Sequence, residues 1–424
     1  MKKLLLPAVA VILIVTGAGL WLHSRQVEEE TTSATHTLRV ALWDYGTVSY
    51  DKKIVERFEE THPDIRIEVI SCPPEYYDNS LEAMLDSGER LDVIYVNQLP
   101  QLSVLQERGV PLALDELAAR DGVDLTGYTG IEVLRDPESG QLMGLPYRQD
   151  KFLLYYNKDL FDLAGIAYPQ AGMTWEQFRE TARALTTELK TVDEDLWGAT
   201  MILEPIHLLY FMDDRAFDWE TNDFSGVARG LTMLLALDAD GSTPRLVERE
   251  MRLDCQRMFE TGRFAMMVHG SWYLNFLATD EKAGLLDFEW GVTERPYWPE
   301  DGPNQNEAWL TPLIINHETN EVEAAWEFVR FVSSEQGAEI LVNEMIVPAF
   351  HNDAIDELLR NRLCERDLDP AIVSKEAFSP PYLTTAHEEA LASEIYEEYL
   401  RALLGLQTVE ESVERMETIR STYQ

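Results

Sequence analysis

Carboxylates are the groups most available for chemistry in this chain, with 76 Asp and Glu against 35 Lys and Arg. Two carboxylates flanking a sugar ring suffice for glycoside hydrolysis, and Asp213-Asp214 with Glu204 would be obvious choices. Among so many acids a pair is guaranteed somewhere, so such a pair carries no information. The patterned chemistries are missing from the sequence: it contains no GxSxG, HExxH, GxGxxG or P-loop, and His387-Glu388-Glu389 lacks the second histidine of a zincin. Cys72, Cys255 and Cys364 lie far apart, with no CxxC and no histidine at ligand spacing. They read as small buried residues rather than a zinc site or a disulfide framework. No cofactor is called for and no catalysis is indicated, which leaves non-covalent recognition.

The stretch GLPYRQDKFLLYYNKDLFDLAG, Gly144 to Gly165, bears most directly on recognition. Phe152 to Tyr156 reads as a strand buried on both faces. Arg148, Gln149, Asp150 and Lys151 precede it, and Asn157, Lys158 and Asp159 follow. Such a strand either has solvated ends in an ordinary core, or passes between two bodies with its polar end lining the gap they share.

The elements that would position these groups follow from periodicity. Thr37 to Tyr45 reads as a strand. Tyr50, Ile54 and Phe58 recur at helical spacing until His62-Pro63, and Ile65 to Ile70 alternates strictly. A helix over LEAMLDSG stops at Gly88, and Leu91 to Val96 is a third strand. This β-α-β-α-β order predicts a parallel sheet with helices on its faces. Ligands bind beyond the carboxyl ends of such strands, where Trp43-Asp44-Tyr45 and Asn97-Gln98 fall. Further on, Thr174 with Gln177 forms a capping box, and Trp197 to Pro244 reads as mostly helical. GRFAMMVHGSW gives a strand, a turn at Gly270 and a new helix; AWLTPLIIN gives another strand. Val322 to Val329 is an amphipathic helix, Ser333 with Gln336 begins the next, and VPAF is an extended link. The last part is helical, with a second capping box at Thr408 and Glu411.

A chain of 424 residues suits two domains. Its formal charge of −41 repels nucleic acid and anionic lipid and argues against both as partners. At the N-terminus Lys2 and Lys3 precede an apolar run from Leu4 to Leu22, the layout of an export signal. About 20 apolar residues also suffice to span a bilayer. No cysteine follows the run, which excludes lipoprotein attachment there, and no small-x-small cleavage site precedes the polar tether of Ser24 to Thr37. That favours a retained anchor with its lysines inside. In either case the folded part lies outside the cytoplasm, at the cell surface or in a periplasm.

From about Thr37 to its end the chain resembles the bacterial extracellular solute-binding proteins of ABC transporters, in the sugar-binding branch that includes maltose-binding protein. The carriers of the resemblance are FEETHPDIRIEVI, LDVIYVN, GVPLALDEL, the Gly144–Gly165 stretch joined to TWEQF, FETGRFAMMVHGSW and AAWEFVRFVSSEQGAEIL, in that order. The resemblance implies an α/β, two-lobed periplasmic-binding-protein-like fold with an interlobe cleft and several crossing segments. Residues 37–149 plus 309–347 would form lobe 1, residues 150–308 plus 348–424 lobe 2, and 1–36 the anchor and tether. The chain would cross near Gln149 to Phe152, near Trp309 and near Pro348, the crossings acting as hinges. It also implies a monomeric receptor that hands its solute to a membrane permease.

Sugar binding needs flat apolar faces for pyranose C–H groups and planar polar groups for hydroxyls. Trp43, Tyr147, Trp272 and Trp309 are the stacking candidates, with Tyr45 and Tyr273 as neighbours that would serve instead. Asp44, Asn97, Gln98, Arg148, Asp150 and Glu307 are the hydrogen-bonding candidates. Each has a plainer role open to it: the tryptophans as core, Asp44 as a helix cap, Asp150 as the partner of Arg148, Asn97 and Gln98 in a turn. Tyr155 and Tyr156 read as core. The alternatives to a carbohydrate receptor are a binding protein for a non-sugar solute, such as a polyol phosphate or a polyamine, and a surface sensory or adhesive protein on the same fold.

Overall fold

A computed structural model of the protein describes residues 36–97, 99–201, 223–244, 255–299, 308–373 and 386–422. The alternating residues of β1 (His36–Trp43) place Leu38, Val40 and Leu42 in the interior, and the strand runs parallel to β2 (Ile65–Cys72) from His36↔Ile65 to Trp43↔Cys72. On its other side β1 runs parallel to β3 (Val93–Tyr95). The connections are helical. Helix Ser49–Thr61 buries Tyr50, Ile54 and Phe58 one turn apart, and helix Tyr77–Asp86 ends just before Gly88, whose φ of 73° suits glycine. The parallel β-α-β-α-β unit expected from the sequence is therefore present.

This sheet continues with later strands in the order β2-β1-β3-β9-β4, where β9 (Trp309–Ile315) is antiparallel to both β3 and β4 (Leu145–Asp150). A second sheet has the order β6-β7-β5-β8, from Thr200–Met201, Met266–Gly270, Phe152–Asn157 and Trp290–Glu294 respectively. Each sheet has its own core. Phe58, Tyr77, Leu313 and Trp326 belong to the first; Phe161, Trp175, Phe178 and Met267 belong to the second. Trp272, Phe276 and Phe350 pack against both. The architecture is α/β and two-lobed.

β4 corrects the sequence reading. Arg148, Gln149 and Asp150 are not a polar flank but strand residues, each under 9% exposed. Their burial comes from two distant segments. β9 covers one edge, with Asp150 opposite Trp309. Val347 to Ala349 covers the other, through Gln149 N to Val347 O at 3.1 Å and Ala349 N to Tyr147 O at 3.0 Å. Only Lys151 separates β4 from β5, yet the two strands lie in different sheets. The passage between the bodies therefore consists of neighbouring extended segments hydrogen-bonded side by side. Helix Glu335–Asn343 is shared as well, giving Leu341 to the first core and Ala338 and Val342 to the second.

Elsewhere the local signals hold. Thr174 and Gln177 make the reciprocal capping box of helix Trp175–Leu189, and Thr408 and Glu411 do the same before helix Val409–Thr422. The cap of helix Glu335–Asn343 is Ser334 rather than Ser333. Between Trp197 and Pro244 the described residues hold the short β6 and helix Ser225–Ala239. The cysteine reading fails where it can be checked, because Cys364 is exposed and Cys72 half-buried, both as free thiols. Among the described residues no helix is long and apolar enough to cross a membrane; the anchor read at residues 1–36 lies almost wholly outside them.

Candidate functional site

The carboxyl ends of β1 and β3 and the whole of β4 bring one set of candidates together. Trp43 closes β1, its ring edge-on to Tyr77 and Tyr95 at 5.3 and 6.4 Å. The Arg148 guanidinium lies 5.6 Å from the Trp43 ring centre and 5.6 Å from that of Tyr147, a cation between two π faces. Tyr147 in turn packs edge-on against Tyr95 at 5.2 Å.

Arg148 is buried, so its charge needs partners. Nη1 donates to Tyr50 Oη at 2.9 Å, and Nε lies 3.1 Å from Asp150 Oδ2. Asp150 Oδ1 accepts from Ser271 Oγ at 2.9 Å, and Ser271 N donates to Lys151 O at 2.8 Å. A polar chain thus runs from the first helix, through β4, to the turn after β7 in the second sheet. The plain role considered for Asp150, pairing with Arg148, is present. Burial opposes the Arg148 charge, but the Asp150 carboxylate beside it keeps its pKa above the ordinary arginine range. Burial raises the pKa of Asp51, one residue after Tyr50, to about 7 against the pull of Arg148.

Asp44 adopts a left-handed backbone with φ of 57°, and its carbonyl accepts from Thr47 N and Val48 N at 2.9 and 3.3 Å. Those bonds turn the chain into helix Ser49–Thr61, whose N-cap is Val48 without a side-chain cap. The aspartate is therefore a turn former and not the helix cap. Tyr45 is half-buried, its N–H held by Ser71 Oγ at 3.2 Å, and Asn97 is half-buried directly after β3. Gln98 and Glu307 lie outside the described residues.

A second set gathers where the sheets meet. The Trp272 ring lies 5.7 Å from that of Trp309 and 6.2 Å from that of Phe152, while Trp309 and Phe152 are 5.3 Å apart. Gly270 makes room for the indole, because a Cβ there would fall 1.9 Å from the Trp272 ring. Tyr273 stands apart. It is fully buried in the second core, against Tyr155 and Phe259, and its hydroxyl donates to Gln256 O at 3.1 Å.

The two sets adjoin, since Asp150 is the strand partner of Trp309 and bonds the residue before Trp272. Tyr50, Asp51, Tyr95 and Ser271 adjoin these candidates and were not picked out from sequence. Tyr50 looked like helix core and Asp51 an ordinary first-turn acid; nothing in their spacing signals the cleft. Trp43 and Tyr147 are buried in the first core and Trp309 in the second, the plainer role open to them, while Trp272 is half-buried. The assembled groups bring aromatic rings and polar hydrogen-bonding groups together, the equipment of non-covalent recognition. Among the described residues no group of three His, Cys, Asp or Glu is placed to hold a metal.

Residues 44–339 match the family model of the bacterial extracellular solute-binding protein. A binding protein of Brucella abortus is 24% identical over 333 residues, which are 75% of this chain and 76% of that one. An ABC substrate-binding protein from Listeria monocytogenes in complex with cycloalternan superposes with a TM-score of 0.77 at 21% identity, covering 92% of this chain and 99% of that one. For an ABC transporter solute binding protein from Thermotoga lettingae bound with α-D-tagatose, the TM-score is 0.74 at 18% identity, over 92% and 100%. These solved structures share the two-lobed fold, and the family match covers most of the chain, from the turn at Asp44 through the crossing strands into helix Glu335–Asn343. The chain belongs to the bacterial extracellular solute-binding protein family.

Proposed function

We propose that the protein captures a carbohydrate, an oligosaccharide in particular, between its lobes and delivers it to the permease of an ABC transporter. The observation that carries this reading is the meeting of aromatic rings with a buried ion pair where the two sheets join. Trp43, Tyr147, Arg148 and Asp150 approach from the first sheet, and Trp272 and Trp309 from the crossing. Sugars and polyols are what several relatives of this fold hold, cycloalternan and α-D-tagatose among them. In this reading residues 37–149 with 309–347 form one lobe and 150–308 with 348–424 the other. Ligand contacts on both lobes favour closure by their differential affinity. The receptor works as a monomer outside the cytoplasm, held by its N-terminal anchor, and performs no catalysis.

Thermal unfolding of a soluble form beginning near Thr32, against a panel of mono- and oligosaccharides, tests the reading. A ligand at about a hundred times its Kd stabilises the folded protein by about 2.7 kcal/mol, a visible upward shift. A shift with one sugar series establishes the receptor. No shift across the panel, from folded protein, rejects the carbohydrate reading in favour of a non-sugar solute or a sensory role.

A further inference from the structure

Gln101 is a buried amide. It is 2% exposed, and among the described residues neither Oε1 nor Nε2 has a hydrogen-bond partner. It lies in the first turn of helix Leu99–Glu107, which starts just beyond the carboxyl end of β3, where ligands of such sheets bind. Leu99, Leu102 and Leu105 recur at i, i+3 and i+6 and enter the first core. At 100° per residue Pro100 points away from that stripe and Gln101 lies at its margin, yet both are buried. Helix Ala386–Leu403 packs against this helix and sends Leu391, Ile395 and Tyr399 into the second core. The helix that carries Gln101 therefore touches both β9 of the first sheet and a helix of the second body.

Two more polar atoms of the first body are in the same condition. Tyr95 Oη, at the end of β3, and Asp51 Oδ1 are buried without a hydrogen-bond partner among the described residues. Asp51 lies close enough to Tyr95 and Tyr147 for its charge to act on both hydroxyls. Burying a primary amide with neither end satisfied is unfavourable, and a buried polar group in that condition calls for an explanation.

We propose that Gln101 is a ligand-contacting and specificity-determining residue, whose amide donates to and accepts from hydroxyls of the solute at the meeting of the lobes. The proposal rests on the receptor reading above and extends it to a residue outside the aromatic and ion-pair sets. An amide presents one acceptor oxygen and two N–H donors, and neighbouring hydroxyls of a sugar match both kinds. Coming together over no ligand strands the amide; coming together over the right ligand satisfies it. Gln101 thereby links closure to the identity of what is bound.

The test compares wild type with Gln101→Leu and Gln101→Met, using lactose, maltotriose, cycloalternan and D-tagatose as probes. Unliganded, both variants should melt at or above the wild-type temperature, because an unsatisfied polar group has been removed. The sugar that shifts the wild type should bind both variants at least tenfold more weakly by calorimetry. That opposition of stability and affinity is what a packing role would not produce. Binding within twofold of wild type in both variants overturns the assignment of Gln101 while leaving the receptor reading intact. A wild type that responds to none of the sugars overturns the carbohydrate reading, and this assignment with it.

Discussion

Arg148→Met tests the energetic logic of the buried ion pair. In the native protein Asp150 is 2% exposed, with Ser271 Oγ on one carboxylate oxygen and Arg148 Nε 3.1 Å from the other. Methionine keeps much of the apolar length against Trp43 and Tyr147 but removes the charge. Asp150 is then a buried carboxylate stripped of the guanidinium beside it, and Tyr50 Oη loses its donor. Breaking a buried pair from one side costs about 3–5 kcal/mol, so a loss of about 4 kcal/mol at pH 7.5 is expected. Its sign with pH is fixed. In the variant, burial without the arginine raises the Asp150 pKa in the folded state, so the folded state gains stability as pH falls. The deficit against wild type should therefore narrow between pH 7.5 and pH 5. Urea unfolding followed by tryptophan fluorescence reads both quantities. Replacing both partners, Arg148→Met with Asp150→Leu, should recover most of the loss, since an apolar pair leaves no charge stranded. A single-variant loss below about 1 kcal/mol, or a double variant as unstable as the single one, would refute the reasoning.

Asp51→Asn should change how stability depends on pH. Its pKa near 7, against an ordinary 3.8, means the folded state binds the proton more tightly than the unfolded chain. That contribution is lost as pH rises from about 4 to about 7, by as much as about 4 kcal/mol. The asparagine variant should therefore gain on wild type at pH 8 and much less at pH 5, and equal differences at both pH values would disprove the assignment. Trp272→Ala should weaken ligand binding at least tenfold while the far-ultraviolet spectrum stays native. Gly270→Ala, whose Cβ would fall 1.9 Å from the same ring, should weaken it too by displacing the indole. Unchanged affinity in both would remove Trp272 from the site.

Where burial followed local periodicity, the structure agrees with the sequence. The alternation of β2, the helical spacing of Tyr50, Ile54 and Phe58 and the capping box at Thr174 all report nearest-neighbour physics, legible from a few consecutive residues. β4 was not legible, because Arg148-Gln149-Asp150 are buried by β9 and by Val347 to Ala349, partners remote in sequence. β8 was missed for a related reason. Its burial comes from β5, and Trp290-Gly291-Val292-Thr293 has no alternation of its own. Trp43 and Trp272 were singled out as residues just past strands; Trp272 does follow β7, whereas Trp43 is the last residue of β1 itself. Tyr273, the residue after Trp272, turns into the second core. A single step along a helix changes direction by 100°, more than a motif of adjacent aromatics can encode. Gln101 was invisible because a lone glutamine in a leucine-rich helix reads as solvated, whereas the fold buries it.

The place of β9 between β3 and β4 has a consequence for biogenesis. Both neighbours are synthesised long before it, so the first sheet stays split until Ile315 has left the ribosome. Until then β3 and β4 present bare edges, which invite pairing with other chains. Closing the gap demands contacts remote along the polypeptide, which form slowly. The same topology therefore makes premature termination before Trp309 hazardous, because a chain that stops there leaves both edges permanently bare.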